Sequence, residues 1–213
     1  VNSNFTKQIV DKEYGINSIV IYPPVDPITC PPRKENLILS VGRFEPSLNA
    51  KKQDIMIKAW REIAPTLPDW KLVLVGGSSS EDYLASLQKL GEGLPLSIIP
   101  NASHDTICDL YSRAKIYWHA AGFGVDPLKN PELTEHFGIS TVEAISAQAI
   151  PLVVGVGGQT EIVKNPSLQW STISELANNT RMLAHAHFEQ YAKDLPIDMY
   201  TLDVFKSNLT HIN

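Results

Sequence analysis

Two glutamates frame the stretch Glu135-His-Phe-Gly-Ile-Ser-Thr-Val-Glu143, with eight positions from one carboxylate to the other. After Gly138 the apolar residues Ile139, Val142, Ile145 and Ala149 recur at helical spacing, so the pattern predicts a helix starting near Gly138. The first N–H groups of a helix have no intrahelical acceptor and sit at the positive end of its dipole. That makes the backbone of Gly138, Ile139, Ser140 and Thr141 a candidate anion site, above all for phosphate. Glu135 lies in the loop before this terminus and Glu143 about a turn and a half into the helix, so a carboxylate can approach a ligand from each flank. Ionised carboxylates repel phosphate but accept hydrogen bonds from hydroxyls. The ligand these residue types imply is a sugar joined to a phosphate.

Such a site needs a fold that converges on it. Short apolar runs at Asn36–Val41, Lys71–Val75, Leu96–Ile99, Ile116–His119 and Pro151–Val154 have strand length. They alternate with helical patterns at Gln53–Ala64, Ser80–Leu90 and Ser103–Arg113, with the motif helix, and with a short helix opened by Gly157-Gly158. That alternation specifies an α/β fold with a Rossmann-like parallel sheet covered by helices on both faces. Ligands of such sheets lie beyond the carboxyl ends of the strands, where Gly42-Arg43, Gly76-Gly77, Pro100-Asn101, Ala120-Ala121 and Gly155 fall.

Outside this core, Ser3 is placed to cap a helix that Gly15 stops, followed by a short strand at Ser18–Tyr22. Pro23, Pro24, Pro27, Pro31 and Pro32 then suit neither regular helix nor interior sheet. Beyond Asn165 a helix over Ser174–Gln190 is expected, then Pro196 and an amphipathic segment around Leu202, Phe205 and Leu209. The division is 1–34 as an incoming segment with a proline-rich linker, 35–190 as the ligand-binding domain and 191–213 as a helical tail. The abrupt start at Val1, without a methionine, raises the expectation of a piece of a longer polypeptide.

With 213 residues, 43% of them hydrophobic, the chain can bury a sizeable core. Its formal net charge of -5 argues against nucleic acid or an anionic membrane as the main partner, so any phosphate site must be local. Cys30 and Cys108 are far apart in sequence and too few for a disulfide framework, which points to a reducing cytoplasm. Glu132, Glu135 and His136 lack a zinc spacing with a second histidine, so no metal is expected. Val154-Gly-Val-Gly-Gly158 is not G-x-G-x-x-G and comes late in the fold, which disfavours a dinucleotide enzyme. His185 and His187 read as surface residues, and His119 as a packed residue ending an apolar strand.

Four pieces occur in a familiar order: SVGRFEPSLNAKKQDIMIKAW (Ser40–Trp60), KLVLVGG (Lys71–Gly77), EHFGISTVEAISA (Glu135–Ala147) and GGQTEIV (Gly157–Val163). Together they resemble the retaining, nucleotide-sugar-dependent glycosyltransferases of family four, which have the two-domain GT-B architecture. The resemblance implies that this chain is the donor-binding, C-terminal half of a GT-B fold, with the acceptor bound by the absent N-terminal half and any membrane contact made through that half. It implies that Arg43 and Lys51 contact the diphosphate beside Gly42, that Glu143 holds the ribose hydroxyls, and that Glu135 stands beside the transferred hexose. Lys51 is preferred to its neighbour Lys52. The backbone from Gly138 to Thr141 would take phosphate oxygens. Gly77, Asn101, Gly157, Gly158 and Glu161 fall at matching or strand-end positions without a defined contact. No cofactor is implied beyond the nucleotide sugar as co-substrate. Departures are His136, where the family often has a small residue, and a long loop from Gly122 to Thr134, placed to shape the sugar pocket or a domain interface. The alternative is a non-catalytic module that binds a nucleotide or phosphosugar; a GT-B phosphorylase or epimerase is a third reading.

Overall fold

The computed structural model describes residues 1–46, 51–195 and 197–210. Residues 47–50 of the Ser40–Trp60 stretch, Pro196 and the last three residues of the tail lie outside these.

Six strands form one sheet: β1 (Glu35–Val41), β2 (Lys71–Gly76), β3 (Leu96–Pro100), β4 (Ala114–His119), β5 (Ile150–Val154) and β6 (Gln169–Trp170). Their order is β3-β2-β1-β4-β5-β6, and every neighbouring pair is parallel. The helices are α1 (Asn4–Tyr14), α2 (Gln53–Ile63), α3 (Glu81–Leu90), α4 (His104–Arg113), α5 (Ile139–Ser146), α6 (Gln159–Ile162), α7 (Ile173–Leu183) and α8 (Leu202–Thr210). This is the Rossmann-like α/β architecture that the alternating pattern specifies.

Successive strand residues point to opposite faces, and here both faces are buried. Ile38, Leu72, Leu74, Ile116 and Trp118 pack with Met56, Ile57, Trp60 and Ile63 of α2 and Leu176 and Leu183 of α7. The intervening Leu37, Leu39, Val73, Val75 and Tyr117 pack with Leu110 and Tyr111 of α4 and Ala144 of α5. The strands therefore read as continuous apolar runs. The buried Trp118 satisfies its indole N–H on Thr180 Oγ1 at 3.1 Å.

Three elements differ from the sequence expectations. Ser18–Tyr22 forms no strand; it meets only Val1 along the main chain, through Ile21 N to Val1 O at 2.9 Å and the Val1 amine to Ile19 O at 2.8 Å. An apolar run alone is not a strand without a partner ladder. The predicted helix over Ser174–Gln190 starts one residue earlier and stops at Leu183, followed by a 3₁₀ turn at Phe188–Gln190. The two-residue β6 carried too short a pattern to predict.

The flanking segments pack on the sheet unit. Val25 is buried and donates its N–H to Tyr200 O at 2.8 Å, and Tyr200 stacks edge-on against both Tyr22 and Phe137. Glu161 draws α1 in: its carboxylate accepts from the N–H groups of Asn4 and Phe5, from Asn4 Nδ2 and from Tyr22 OH, all at 2.8 to 3.0 Å. A carboxylate at a helix N-terminus satisfies free donors and the dipole together.

Candidate active site

The strand ends open into a cavity of about 520 Å³ whose lining includes Gly42, Arg43, Lys51, Glu135, Gly138, Ile139, Ser140 and Glu143. These residues come from two stretches, the loop between β1 and α2 and the loop that runs into α5, and each is held in place by identifiable contacts.

β1 ends in Gly42-Arg43. The buried Gln53 of α2 donates from its amide to Arg43 O at 2.9 Å, and Gly42 N bonds Val75 O at 2.9 Å. A Cβ at Gly42 would lie 2.7 Å from Lys51 Cγ, so the missing side chain is what lets the lysine stem pass. A Cβ at Gly76 would lie 2.1 Å from Gly42 O, which fixes glycine at the end of β2 as well. Arg43 is exposed and forms no ion pair among the described residues. Lys52 does not line the cavity; it adopts a left-handed φ of 54° as the N-cap of α2.

Gly138, with φ 114°, turns the chain into α5. Thr141 N–H donates to Gly138 O at 3.0 Å, whereas the N–H groups of Gly138, Ile139 and Ser140 have no acceptor among the described residues. The free amides are thus those three. Thr141 lies behind the cavity, fully buried, with its hydroxyl unpartnered among the described residues. Two buried tyrosines brace the turn. Tyr117 OH donates to Ser140 Oγ at 2.8 Å, and Tyr111 OH to Glu143 Oε2 at 2.8 Å. Burial pushes both phenols above their ordinary range, which keeps them protonated as donors.

Glu135 is the electrostatic centre. Lys51 Nζ and His119 Nε2 both reach its Oε2, the histidine at 3.0 Å, while Oε1 has no partner among the described residues. Burial raises the Glu135 carboxyl, but His119 and Lys51 outweigh it and hold the group well below the usual carboxylate range. Burial lowers the His119 imidazole, with Glu135 opposing, so the ring is neutral near pH 7.

The remaining predicted positions fall elsewhere. Gly157 and Gly158 lie beneath the Glu135 loop: Gly158 N bonds Glu135 O at 2.7 Å, and a Cβ at Gly158 would sit 1.9 Å from His136 O. Their place is support for the loop. Glu161 is engaged with α1. Gly77 and Asn101 line a neighbouring cavity of about 350 Å³ that shares Arg43. The 122–134 loop faces α1 rather than the main cavity, its Pro127, Leu128, Lys129 and Pro131 lining a separate space of about 750 Å³ with Phe5 and Ile9. His136 does line the main cavity, with its ring 6.3 Å from that of Phe5. Sequence reading did not select Tyr111, Tyr117 or His119. The available signal for His119 was its position at the carboxyl end of a central strand.

The profile of the family described as Glycosyl transferases group 1 matches residues 27–186. The chain belongs to this family. A Dictyostelium discoideum protein named GDP-Man:Man(3)GlcNAc(2)-PP-Dol alpha-1,2-mannosyltransferase is 28% identical, the match taking in 89% of this chain and 40% of the relative. Its namesake from Homo sapiens is also 28% identical, over 74% of this chain and 34% of that protein. The chain spans about two fifths of the length of the first of these relatives. Among solved structures, a mutant of S. aureus TarM in complex with Fondaparinux, alpha-GlcNAc-glycerol and UDP superposes on the whole chain and 43% of its own, with TM-score 0.77 and 13% identity. AviGT4, a glycosyltransferase involved in Avilamycin A biosynthesis, covers 96% of this chain and 60% of its own at TM-score 0.66 and 18% identity. These likenesses are of fold, and the group 1 chain has the Rossmann-like fold of GT-B proteins.

Proposed function

We propose that this chain binds the donor of a retaining glycosyltransferase, which moves a hexose from a UDP- or GDP-sugar to a glycan or lipid acceptor. The observation that carries the proposal is the meeting of Arg43, Lys51, the free amides at Gly138–Ser140, and Glu135 and Glu143 around one cavity. Arg43 and the free amides take the diphosphate. Lys51 spans the leaving group and Glu135, where it offsets charge as the sugar–phosphate bond breaks. Charge-assisted bonds of this kind contribute about 1.5–3 kcal/mol each, and they help most when negative charge grows on the departing diphosphate. With these cations in place, the reading needs no metal ion. Glu143, fixed by Tyr111, accepts from the ribose, and Glu135 Oε1 from the hexose.

The relatives named for GDP-Man make GDP-mannose the first donor to try. Acceptor binding is assigned to a further half of the polypeptide, so transfer is expected only when that half is present. No helix among the described residues is long and apolar enough to cross a membrane. We place the protein in the cytoplasm, with any membrane contact made outside this chain.

A thermal-unfolding screen against UDP- and GDP-sugars tests the proposal, because a ligand bound only to the folded state raises its stability by mass action. A saturable upward shift for one nucleotide series is expected; no shift with any member rejects donor binding.

A further inference from the structure

We propose that His136 reads the transferred hexose, its Nδ1 accepting a hydrogen bond from a sugar hydroxyl. The inference rests on the donor reading above and adds to it a residue that selects the sugar.

The order of groups within the donor places the hexose. Glu143 takes the ribose and the amides of Gly138, Ile139 and Ser140 take the diphosphate, so the ligand runs toward the start of the motif as it passes from nucleoside to sugar. Beyond the phosphate amides the cavity is lined by Phe137, His136 and Glu135 of the motif and by Asn2 and Pro23 of the incoming segment. Phe137 is buried, with its ring packed against those of Tyr22 and Tyr200. The polar side chains left at the sugar end are Glu135, His136 and Asn2.

His136 is held from three sides. Gly158 lies against its carbonyl, where a Cβ would sit 1.9 Å from the oxygen. Its ring stands 6.3 Å from that of Phe5, and its Nε2 is 3.2 Å from Pro131 O. A carbonyl only accepts, so Nε2 carries the hydrogen, and in a neutral imidazole the other nitrogen is then an acceptor. Nδ1 has no partner among the described residues. Asn2 supplies the opposite polarity: its Oδ1 accepts from Thr6 Oγ1 at 2.8 Å, and its amide N–H groups have no acceptor among the described residues. Sugar hydroxyls both donate and accept, so they satisfy both groups, and a site built this way rejects an analogue that lacks the hydroxyl. The 122–134 loop, which adds no residue to the lining of this cavity, reaches the sugar end through the bond from His136 to Pro131.

Calorimetric titration of the chain with GDP, GDP-mannose, UDP and UDP-glucose tests this. The quantity read is the gain in affinity of each nucleotide sugar over its nucleoside diphosphate. Two variants separate the ring nitrogens. His136→Asn puts an amide oxygen near the place of Nδ1 and gives up the bond to Pro131. His136→Gln puts an amide N–H near the place of Nε2 and gives up the acceptor. The sugar gain is expected to stay within about twofold of the parent in His136→Asn and to fall about tenfold in His136→Gln, with nucleoside diphosphate affinity within about twofold in both. A gain lost in His136→Asn would show that the brace to Pro131 carries the effect, and a gain kept in His136→Gln would show that no acceptor at Nδ1 is used. Equal loss for diphosphate and nucleotide sugar in His136→Gln would show a merely structural role. Each of these overturns the proposal. Should His136→Gln not fold, His136→Phe takes its place as the variant without an acceptor. A parent chain that binds the nucleotides without any sugar gain contradicts the His136 role alone. A parent chain that binds none of the four rejects the donor reading itself.

Discussion

At the scale of single residues, the two glutamates share a helix end but stand in opposite electrostatic settings. Glu143 rests on a neutral tyrosine hydroxyl and lies open to the cavity, whereas Glu135 is enclosed by a lysine and a histidine. The second arrangement makes stability depend on pH. The His119 imidazole is held below its ordinary value of 6.5 when folded, so the unfolded chain takes up a proton that the folded chain refuses. Stability therefore falls as pH drops below about 6.5. The Glu135 carboxyl is held below its ordinary 4.5, so its contribution is present above that value and is lost as pH falls further toward the folded value. Urea unfolding of the ligand-free chain between pH 7.5 and 4 is expected to show both losses. In His119→Gln the first disappears. A parent profile flat between pH 7 and 5 would contradict the neutral, buried imidazole.

At the scale of elements, the site depends on residues that never touch the cavity. Lys34 at the start of β1 donates to Ala114 O at 2.7 Å, Ala147 O at 2.5 Å and Tyr111 O at 3.3 Å, joining the carboxyl ends of α4 and α5 under the sheet. Burial lowers its ammonium to about 8, so it is still charged at pH 7. Lys34→Met leaves these carbonyls without their donor and is expected to cost about 1–3 kcal/mol, read as a lower urea midpoint at unchanged slope. Glu161 acts on α1 in the same manner. Glu161→Ala is expected to speed amide exchange across residues 4–14 while leaving β1, β4 and β5 protected. Exchange unchanged in α1 would mean that the helix is held by Phe5 and Ile9 instead.

How far these elements were legible follows from their physics. The capped helices α1, α3 and α4 could be read because Ser3, Ser80 and Ser103 supply the side-chain acceptor in each case. Of the five longer strands, β1, β2, β4 and β5 could be read because burial on both faces leaves an apolar run, and the half-buried edge strand β3 because Leu96, Ile98 and Ile99 remain apolar. Gly42, Arg43, Lys51, Gly138 and the glutamate pair could be read because they are contiguous in motifs at strand and helix ends. Tyr111, Tyr117 and His119 could not, because a buried aromatic with one polar atom looks the same in sequence whether that atom serves a site or only a core. The contacts of Glu161 could not be read for the converse reason: its partners Asn4 and Tyr22 are more than a hundred residues distant, and no local pattern shows the pairing.

At the scale of the whole molecule, a parallel sheet brings the ends of β1 and β4 and the start of α5 to one edge, and there Arg43 and Lys51 stand beside two glutamates in a chain of net charge -5. Group 1 membership and a GT-B fold agree with this layout, and the donor-binding claim depends on the cavity's own residues. Isothermal titration of the chain with GDP and UDP, repeated for Arg43→Ala and Glu143→Ala, tests that claim most directly. Saturable binding of at least one nucleotide is expected, weakened about tenfold or more in each variant, since each removes one charge-assisted contact. No binding by the parent chain, or equal affinity in parent and variants, would contradict a donor site at this cavity.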